Sequence, residues 1–136
     1  MADRKAGGEG FATAALATPI PHHRVFALFR AAPRQWMRAA LSLGALDSPS
    51  RPSGPPSFEL GMPELERPDR LVVPLSWSPN EGSERFERFV GAFVIEQDGD
   101  GARIRLEGAT DGGSPAPNHA LLEAVLRRVT RALDAL

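Results

Sequence analysis

One stretch of the chain, residues 86–110, constrains the fold more than any other. It reads FERFVGAFVIEQDGDGARIRLEGAT, with alternating residues on both sides of a central DGDG. A Gly-Asp pair between two such segments suits a two-residue β-hairpin turn. We therefore predict two long antiparallel strands, with Asp98 opposite Gly101.

The two faces of this hairpin differ in polarity. The apolar face pairs Ile95 with Ile104, Phe93 with Leu106 and Gly91 with Gly108, and the polar face pairs Glu96 with Arg103, Val94 with Arg105 and Ala92 with Glu107. A slip of one residue would put arginines on the apolar side, so the register should be firm. The apolar face must be covered by another part of the protein, by a partner or by a small hydrophobic ligand.

The chain before the hairpin predicts a strand and then two short helices. Residues 10–18 alternate, which predicts a first strand with Phe11, Thr13, Ala15 and Ala17 on one side. From residue 21 to 46 the apolar spacing becomes helical, and Pro33 should break the helix near Ala32 because the residue before a proline disfavours helical geometry. The inner stripe of the second helix is predicted to contain Trp36, Met37, Ala40 and Leu41.

Further strands are predicted between these helices and the hairpin. Residues 47–57 hold four prolines and read as a loop, residues 57–62 as a strand and residues 63–69 as a turn. RLVVPLSW (70–77) reads as a better strand. Pro74 cannot donate to a ladder, so an edge or a bulge is expected there.

The last segment predicts a long amphipathic helix. Ser114-Pro115 or Asn118 suits its N-terminus. Its apolar stripe contains Leu122, Val125, Leu126, Val129, Leu133 and Leu136. Its opposite face carries Glu123, Arg127, Arg128, Arg131 and Asp134, which is typical of a solvated face and less often of contact with a ligand carboxylate or an acidic partner.

Length and composition bound the remaining possibilities. The 136 residues suit one domain, for which we expect a flexible tail over 1–9 and a folded unit over 10–136. The net charge of −1 predicts no nucleic-acid binding, and no apolar run is long enough for membrane insertion. The absence of cysteine fits a cytoplasmic location.

No motif in the sequence predicts catalysis, a metal or a cofactor. His22 and His23 are adjacent on a helix, where their side chains point about 100° apart, so they read as surface residues. DGDG lacks the further oxygen ligands of a calcium loop and reads as a hairpin turn. Trp36 and Trp77 read as core residues or as residues that flank a pocket mouth. Glu59 and Glu107 would become site candidates only if they pointed inward, and the register sends Glu107 outward.

Three pieces of the sequence, in this order, resemble the helix-grip proteins: START lipid-transfer domains, polyketide cyclases and aromatases, and the birch-pollen-allergen family, together the START-like (SRPBCC) superfamily. The pieces are ATPIPHHRVFALFRAAPRQW (17–36), RLVVPLSWSP (70–79) with the hairpin FVGAFVIEQDGDGARIRLEGAT (89–110), and ALLEAVLRRVTRALDAL (120–136). The sequence also resembles a group of uncharacterised actinobacterial START-like proteins with a "v-P-L-x-W" strand. The chain is short for the fold, so one strand is expected to be missing or very short.

The resemblance implies an α+β fold in which an antiparallel sheet wraps around the long C-terminal helix, with two short helices after the first strand. It also implies a cavity between sheet and helix that takes an apolar ligand. The residues expected to line that cavity are Phe26, Phe29, Trp36, Trp77, Phe93, Ile95, Ile104, Leu106, Leu122, Val125, Leu126 and Val129.

Three functions remain open at this point. The first is binding of a small hydrophobic molecule, such as a lipid or polyketide, without catalysis. The second is an enzyme of the cyclase or aromatase kind, against which stands the lack of Tyr, Cys and any inward His or acid that the pattern places. The third is an interaction domain, monomeric or homodimeric, with its apolar faces wholly internal. An enclosed cavity above roughly 300 Å³ would favour the first two.

Overall fold

A computed structural model describes residues 9–31, 35–47, 57–78, 88–111 and 115–135. It has the predicted α+β architecture, an antiparallel sheet with three helices, the last of them C-terminal. No helix in these ranges is long and apolar enough to cross a membrane. The elements are β1 (Glu9–Thr18), α1 (His22–Arg30), α2 (Gln35–Asp47), β2 (Ser57–Leu60), β3 (Glu64–Arg67), β4 (Arg70–Ser78), β5 (Phe89–Asp98), β6 (Gly101–Asp111) and α3 (Pro115–Ala135).

Some sequence predictions fall, wholly or in part, outside the described ranges. They include the tail over 1–9, the loop over 47–57, the proline break at 32–33, the Ser114 cap and Leu136 of the last helix. Ala31 already has extended backbone angles and ends α1, so the first helix stops where the sequence predicts that it should.

The sheet has the order β1-β6-β5-β4-β2, with β3 also paired to β4. The β5–β6 hairpin has the predicted register throughout, from Asp98 opposite Gly101 to Gly91 opposite Gly108. β1 forms one edge of the sheet and pairs antiparallel with β6. The first and last strands of the chain are therefore neighbours, and the hairpin lies towards the middle of the sheet.

The Gly91–Gly108 pair allows the backbone and an aromatic ring to approach closely. A Cβ on Gly91 would lie 2.0 Å from the Glu107 carbonyl oxygen and 2.7 Å from the Phe89 ring. A Cβ on Gly108 would lie 2.6 Å from the Cα of Gly91. The Phe89 ring therefore packs directly over the two glycines, on the inner face of the sheet.

Opposite Pro74, the pairing along one side of β4 is interrupted, and two short strands occupy that side. β2 pairs with the C-terminal half of β4 and β3 with its N-terminal half, so the two short strands follow one another along the same side. Between them, the amide of Gly61 donates to the carbonyl oxygen of Pro74 at 2.9 Å. The N and O atoms of a residue in an antiparallel strand point to the same side. The missing N–H of Pro74 therefore faces this break, which confirms the irregularity that the sequence predicts.

One prediction in this region is wrong. Residues 63–69 are not all turn, because Glu64–Arg67 form β3, with a register shift between Leu65 and Arg67. The turn is confined to Pro68–Asp69. The four residues of β3 are all exposed, so the strand lacks the alternating burial by which a sequence reveals one.

The outer face of the hairpin is less solvated than its polar pattern predicts. Val94 is only 4% exposed and lies among charged side chains. The Glu96 carboxylate faces Arg103 in the register, as predicted, but it contacts Arg70 at 3.2 Å and Arg105 at 3.5 Å instead. Arg105 is also paired with Glu107. These ion pairs tie β4, β5 and β6 together on the outside of the sheet.

The helices cover the inner face of the sheet. α3 packs against α2, β1 and β6, and α1 packs against β5. The helices α2 and α3 cross at Gly44, where an added Cβ would lie 2.5 Å from the Cα of Val125. Phe93 and Leu106 are fully buried beneath the helices. The apolar face of the hairpin is thus covered by other parts of the same protein.

Candidate ligand-binding groove between the first strand and the last helix

The twelve residues predicted to line a cavity come together in one hydrophobic core. All except Trp36 are at most 6% exposed, and Trp36 is half-buried and packs against the others. Phe29 lies between Trp36 and Phe93, with both ring centroids 5.4 Å away in edge-to-face geometry. The Trp36 indole N–H donates to the Leu28 carbonyl oxygen at 3.3 Å.

Trp77 is the polar exception in this core. Its ring stacks on Phe89 at a centroid distance of 4.2 Å, and Phe58 meets it edge-on at 5.8 Å. Its Nε1 is buried and has no hydrogen-bond acceptor in the described part of the chain. A buried donor without an acceptor costs about 1–3 kcal/mol. Within the described residues, Trp77 is thus a buried donor whose partner is not seen at the end of β4.

A groove of about 260 Å³ lies between β1 and α3. Its β1 side consists of three consecutive residues, Ala14, Ala15 and Leu16. Since successive residues of a strand point to opposite faces, a space that touches all three must run along the strand's edge. That edge has no further strand beside it in the described sheet.

The helix side of the groove combines one buried apolar residue with three polar ones. Leu126 belongs to the core, and it is the member of the twelve predicted residues that also lines the groove. His119, Glu123 and Arg127 follow at intervals of four residues, so they lie along one side of the helix. The groove therefore has an apolar base and a polar rim.

The charged side chains on this rim differ in whether they have an ion-pair partner. His119 Nε2 lies 3.4 Å from a Glu123 carboxylate oxygen, and both side chains are about half exposed. Arg127 is exposed, and none of the described ion pairs or hydrogen bonds involves its guanidinium group. Within the described ranges, the rim thus contains one paired carboxylate and one cation without a protein partner.

A second groove, of about 200 Å³, lies beside the break opposite Pro74. It is lined by Leu60, Gly61, Pro74 and Val90, with Glu59 and Ser76 among the polar residues. The described residues that line it include no cationic side chain. Val90 is 59% exposed, so this is an open surface feature with less chemical definition than the first groove.

Other residues singled out in the sequence do not form a site. The rings of His22 and His23 are 5.7 Å apart and nearly perpendicular, and His22 packs edge-on against Phe26. Glu59 is exposed, and Glu107 lies on the outer face. No group of three His, Asp or Glu side chains in the described ranges is placed to hold a metal ion.

Sequence reasoning missed most of the groove. It included Leu126 and noted the arginines of the last helix, but it did not connect His119 and Glu123 with the alanines of the first strand. The spacing of His119, Glu123 and Arg127 along one helix side was a usable signal. The pairing of that side with β1 was not, because about a hundred residues separate the two elements.

Comparison with known proteins identifies the fold. No protein-family model matches the sequence, and no curated protein matches it significantly. TTHA0849 from Thermus thermophilus superposes with a TM-score of 0.54 at 15% identity, over 93% of this chain and 98% of that one. Ara h 8.0201 superposes with a TM-score of 0.55 at 11% identity, over 94% and 97% of the two chains.

DynU16, from the dynemicin biosynthetic locus, is similar over part of its length. It superposes with a TM-score of 0.54 at 15% identity, over 91% of this chain but only 47% of its own. The resemblance seen in the sequence is thus supported at the level of the fold. At such low identity the similarity shows the fold alone, and that fold is the helix grip.

Proposed function

We propose that this helix-grip protein binds a small hydrophobic ligand between its sheet and its C-terminal helix, and that it performs no chemistry on that ligand. The observation that carries the proposal is the groove of about 260 Å³ between β1 and α3, which is partly open and smaller than the enclosed cavity of roughly 300 Å³ expected for this function. Its base is continuous with the hydrophobic core through Leu126. A molecule seated there would contact Leu126 and the half-buried side chains of Ala14 and Leu16 inside the polar rim.

The binding energy would come from desolvation. Each Å² of apolar ligand surface that leaves water contributes roughly 25 cal/mol before the costs of association. Small side chains on β1 favour this process, because Ala14 and Ala15 leave space that longer side chains would fill. The other predicted lining residues, from Phe26 to Val129, lie in or against the same hydrophobic core as Leu126, and we propose that they deepen the site when α3 shifts outward.

A second candidate is the cyclase or aromatase kind of enzyme. The observation in its favour is the His119–Glu123 pair on the groove rim, since a carboxylate beside an imidazole is a common acid–base arrangement. Both side chains are about half exposed, however, and neither is held by a further partner in the described structure. A third candidate, homodimerisation, draws on the free edge of β1 in the described sheet and on Phe11, which is 64% exposed there.

Four narrower points also belong to this proposal. We propose a kinship with the actinobacterial START-like proteins, supported by the Pro74-Leu75 to Trp77 pattern of β4. We also propose a cytoplasmic location, a monomer or homodimer, and no binding of nucleic acid, the last supported by a net charge of −1.

Native mass spectrometry of the purified protein tests the proposed function. We expect a fraction of the wild-type protein to carry an additional small mass that organic extraction removes. Ala14→Leu should lose that mass because the added side chain fills the groove, whereas Ala17→Leu, on the exposed side of the same strand, should retain it. An added mass that both variants retain equally would place the ligand elsewhere and contradict the proposal.

A further inference from the structure

We infer that the ligand of the β1–α3 groove is a medium-chain carboxylic acid whose carboxylate binds Arg127. This inference rests on the proposed function and narrows the class of ligand. It follows from three features of the same groove: its unpaired cation, its volume and the arrangement of its other charges.

The cation is the first feature. Arg127 lines the groove, and no described acidic side chain lies within ion-pair distance of its guanidinium group. Three other arginines, Arg67, Arg70 and Arg105, contact carboxylates on the outer face of the sheet. A guanidinium group presents paired N–H donors that match the two oxygens of a carboxylate.

The neighbouring charge orients the ligand. Glu123 lies one helical turn before Arg127, and its carboxylate is directed towards His119 at 3.4 Å. A ligand carboxylate near this pair would be repelled by Glu123. The ligand head group is therefore excluded from the Glu123 end of the groove and directed to the Arg127 end. The apolar chain is left to contact Ala14, Leu16 and Leu126.

The volume limits the length of the apolar chain. At roughly 30 Å³ for a group the size of a water molecule, a space of about 260 Å³ holds about eight or nine non-hydrogen atoms. That volume lies just below the usual range of roughly 300–1,000 Å³ for drug-sized ligands. The eight carbon atoms of octanoate fit this limit if its two carboxylate oxygens lie outside the groove at the exposed guanidinium group of Arg127, whereas a long-chain lipid would need the core to open.

Calorimetric titration with octanoate and with 1-octanol tests the inference. The two probes have the same chain and differ in head-group charge. We expect octanoate to bind the wild-type protein about two- to fivefold more tightly, since Arg127 is exposed and an exposed ion pair gives a preference of about that size. Arg127→Gln should abolish the preference while octanol binding stays unchanged.

Arg131→Gln is the matched control. Arg131 lies one turn further along α3, is exposed and is not part of the groove lining. This variant loses the same charge, so it should keep the wild-type preference for octanoate. If Arg131→Gln reduces the preference as much as Arg127→Gln does, the effect is one of overall charge and the inference is wrong.

The remaining outcomes separate the inference from the proposed function. Equal binding of octanoate and octanol that Ala14→Leu abolishes would overturn the carboxylate inference and leave ligand binding in the groove intact. No binding of either probe, or binding that Ala14→Leu does not affect, would overturn both.

Discussion

At the scale of single residues, Trp77 shows a conflict between packing and hydrogen bonding. Its ring is 1% exposed and stacks on Phe89, which favours folding. Its indole Nε1 has no acceptor in the described structure, which opposes folding. The sequence indicates a large aromatic residue at an inward position of β4, but it cannot show whether the N–H finds a partner, because that depends on residues distant in the chain.

We predict that Trp77→Phe changes the free energy of unfolding by less than about 1 kcal/mol, because the loss of ring contacts is offset by the removal of a donor whose burial costs about 1–3 kcal/mol. Phe93→Leu, at a fully buried aromatic residue without a polar atom, is the control and should lose roughly 1–2 kcal/mol. Urea denaturation measures both. A Trp77→Phe loss larger than that of the control would mean that the indole N–H is satisfied in the folded state.

At the scale of secondary-structure elements, the crossing of α2 and α3 depends on one glycine. Gly44 is buried, and its Cα faces the backbone of Val125. Glycine within a helix normally costs about 1 kcal/mol relative to alanine. At this position the cost is offset because the absent Cβ lets α3 pack closely against α2.

We predict that Gly44→Ala destabilises the protein by about 1–3 kcal/mol, although helix propensity alone would favour alanine. The added Cβ would lie 2.5 Å from the Val125 Cα, so the two helices must separate. Ala39→Gly, on the exposed side of the same helix, should lose only about 1 kcal/mol through propensity. Thermal and urea denaturation compare the variants, and a more stable Gly44→Ala protein would show that the helices are not in close contact.

The elements also show which parts of the fold are predictable from the sequence. The register of β5 and β6 is predictable because a slip would place Arg103 and Arg105 on the buried face. β3 is not, because its four exposed residues become a strand only through pairing with β4. The break between β2 and β3 was predictable from Pro74, because proline has no N–H to donate to a neighbouring strand.

At the scale of the whole molecule, the groove results from the packing of the last helix beside the first strand. β1 lies at the sheet edge, and α3 packs beside it. The sequence predicts both elements and the buried stripe of α3, including Leu126. It does not predict which face of β1 is buried, where Ala12 and Thr18 are buried and Phe11 is 64% exposed. The space left between them depends on the small side chains of Ala14 and Ala15 and on the position of α3 against α2, so it emerges only from the assembled fold.

The site of ligand binding can be read directly from nuclear Overhauser effects between octanoate and the methyl groups of the protein. We expect contacts from the octanoate chain to Ala14, Leu16 and Leu126, which line one groove on two different elements. Contacts only to Leu60 and Val90, beside Pro74, or no contacts to residues of β1 and α3, would contradict binding in this groove.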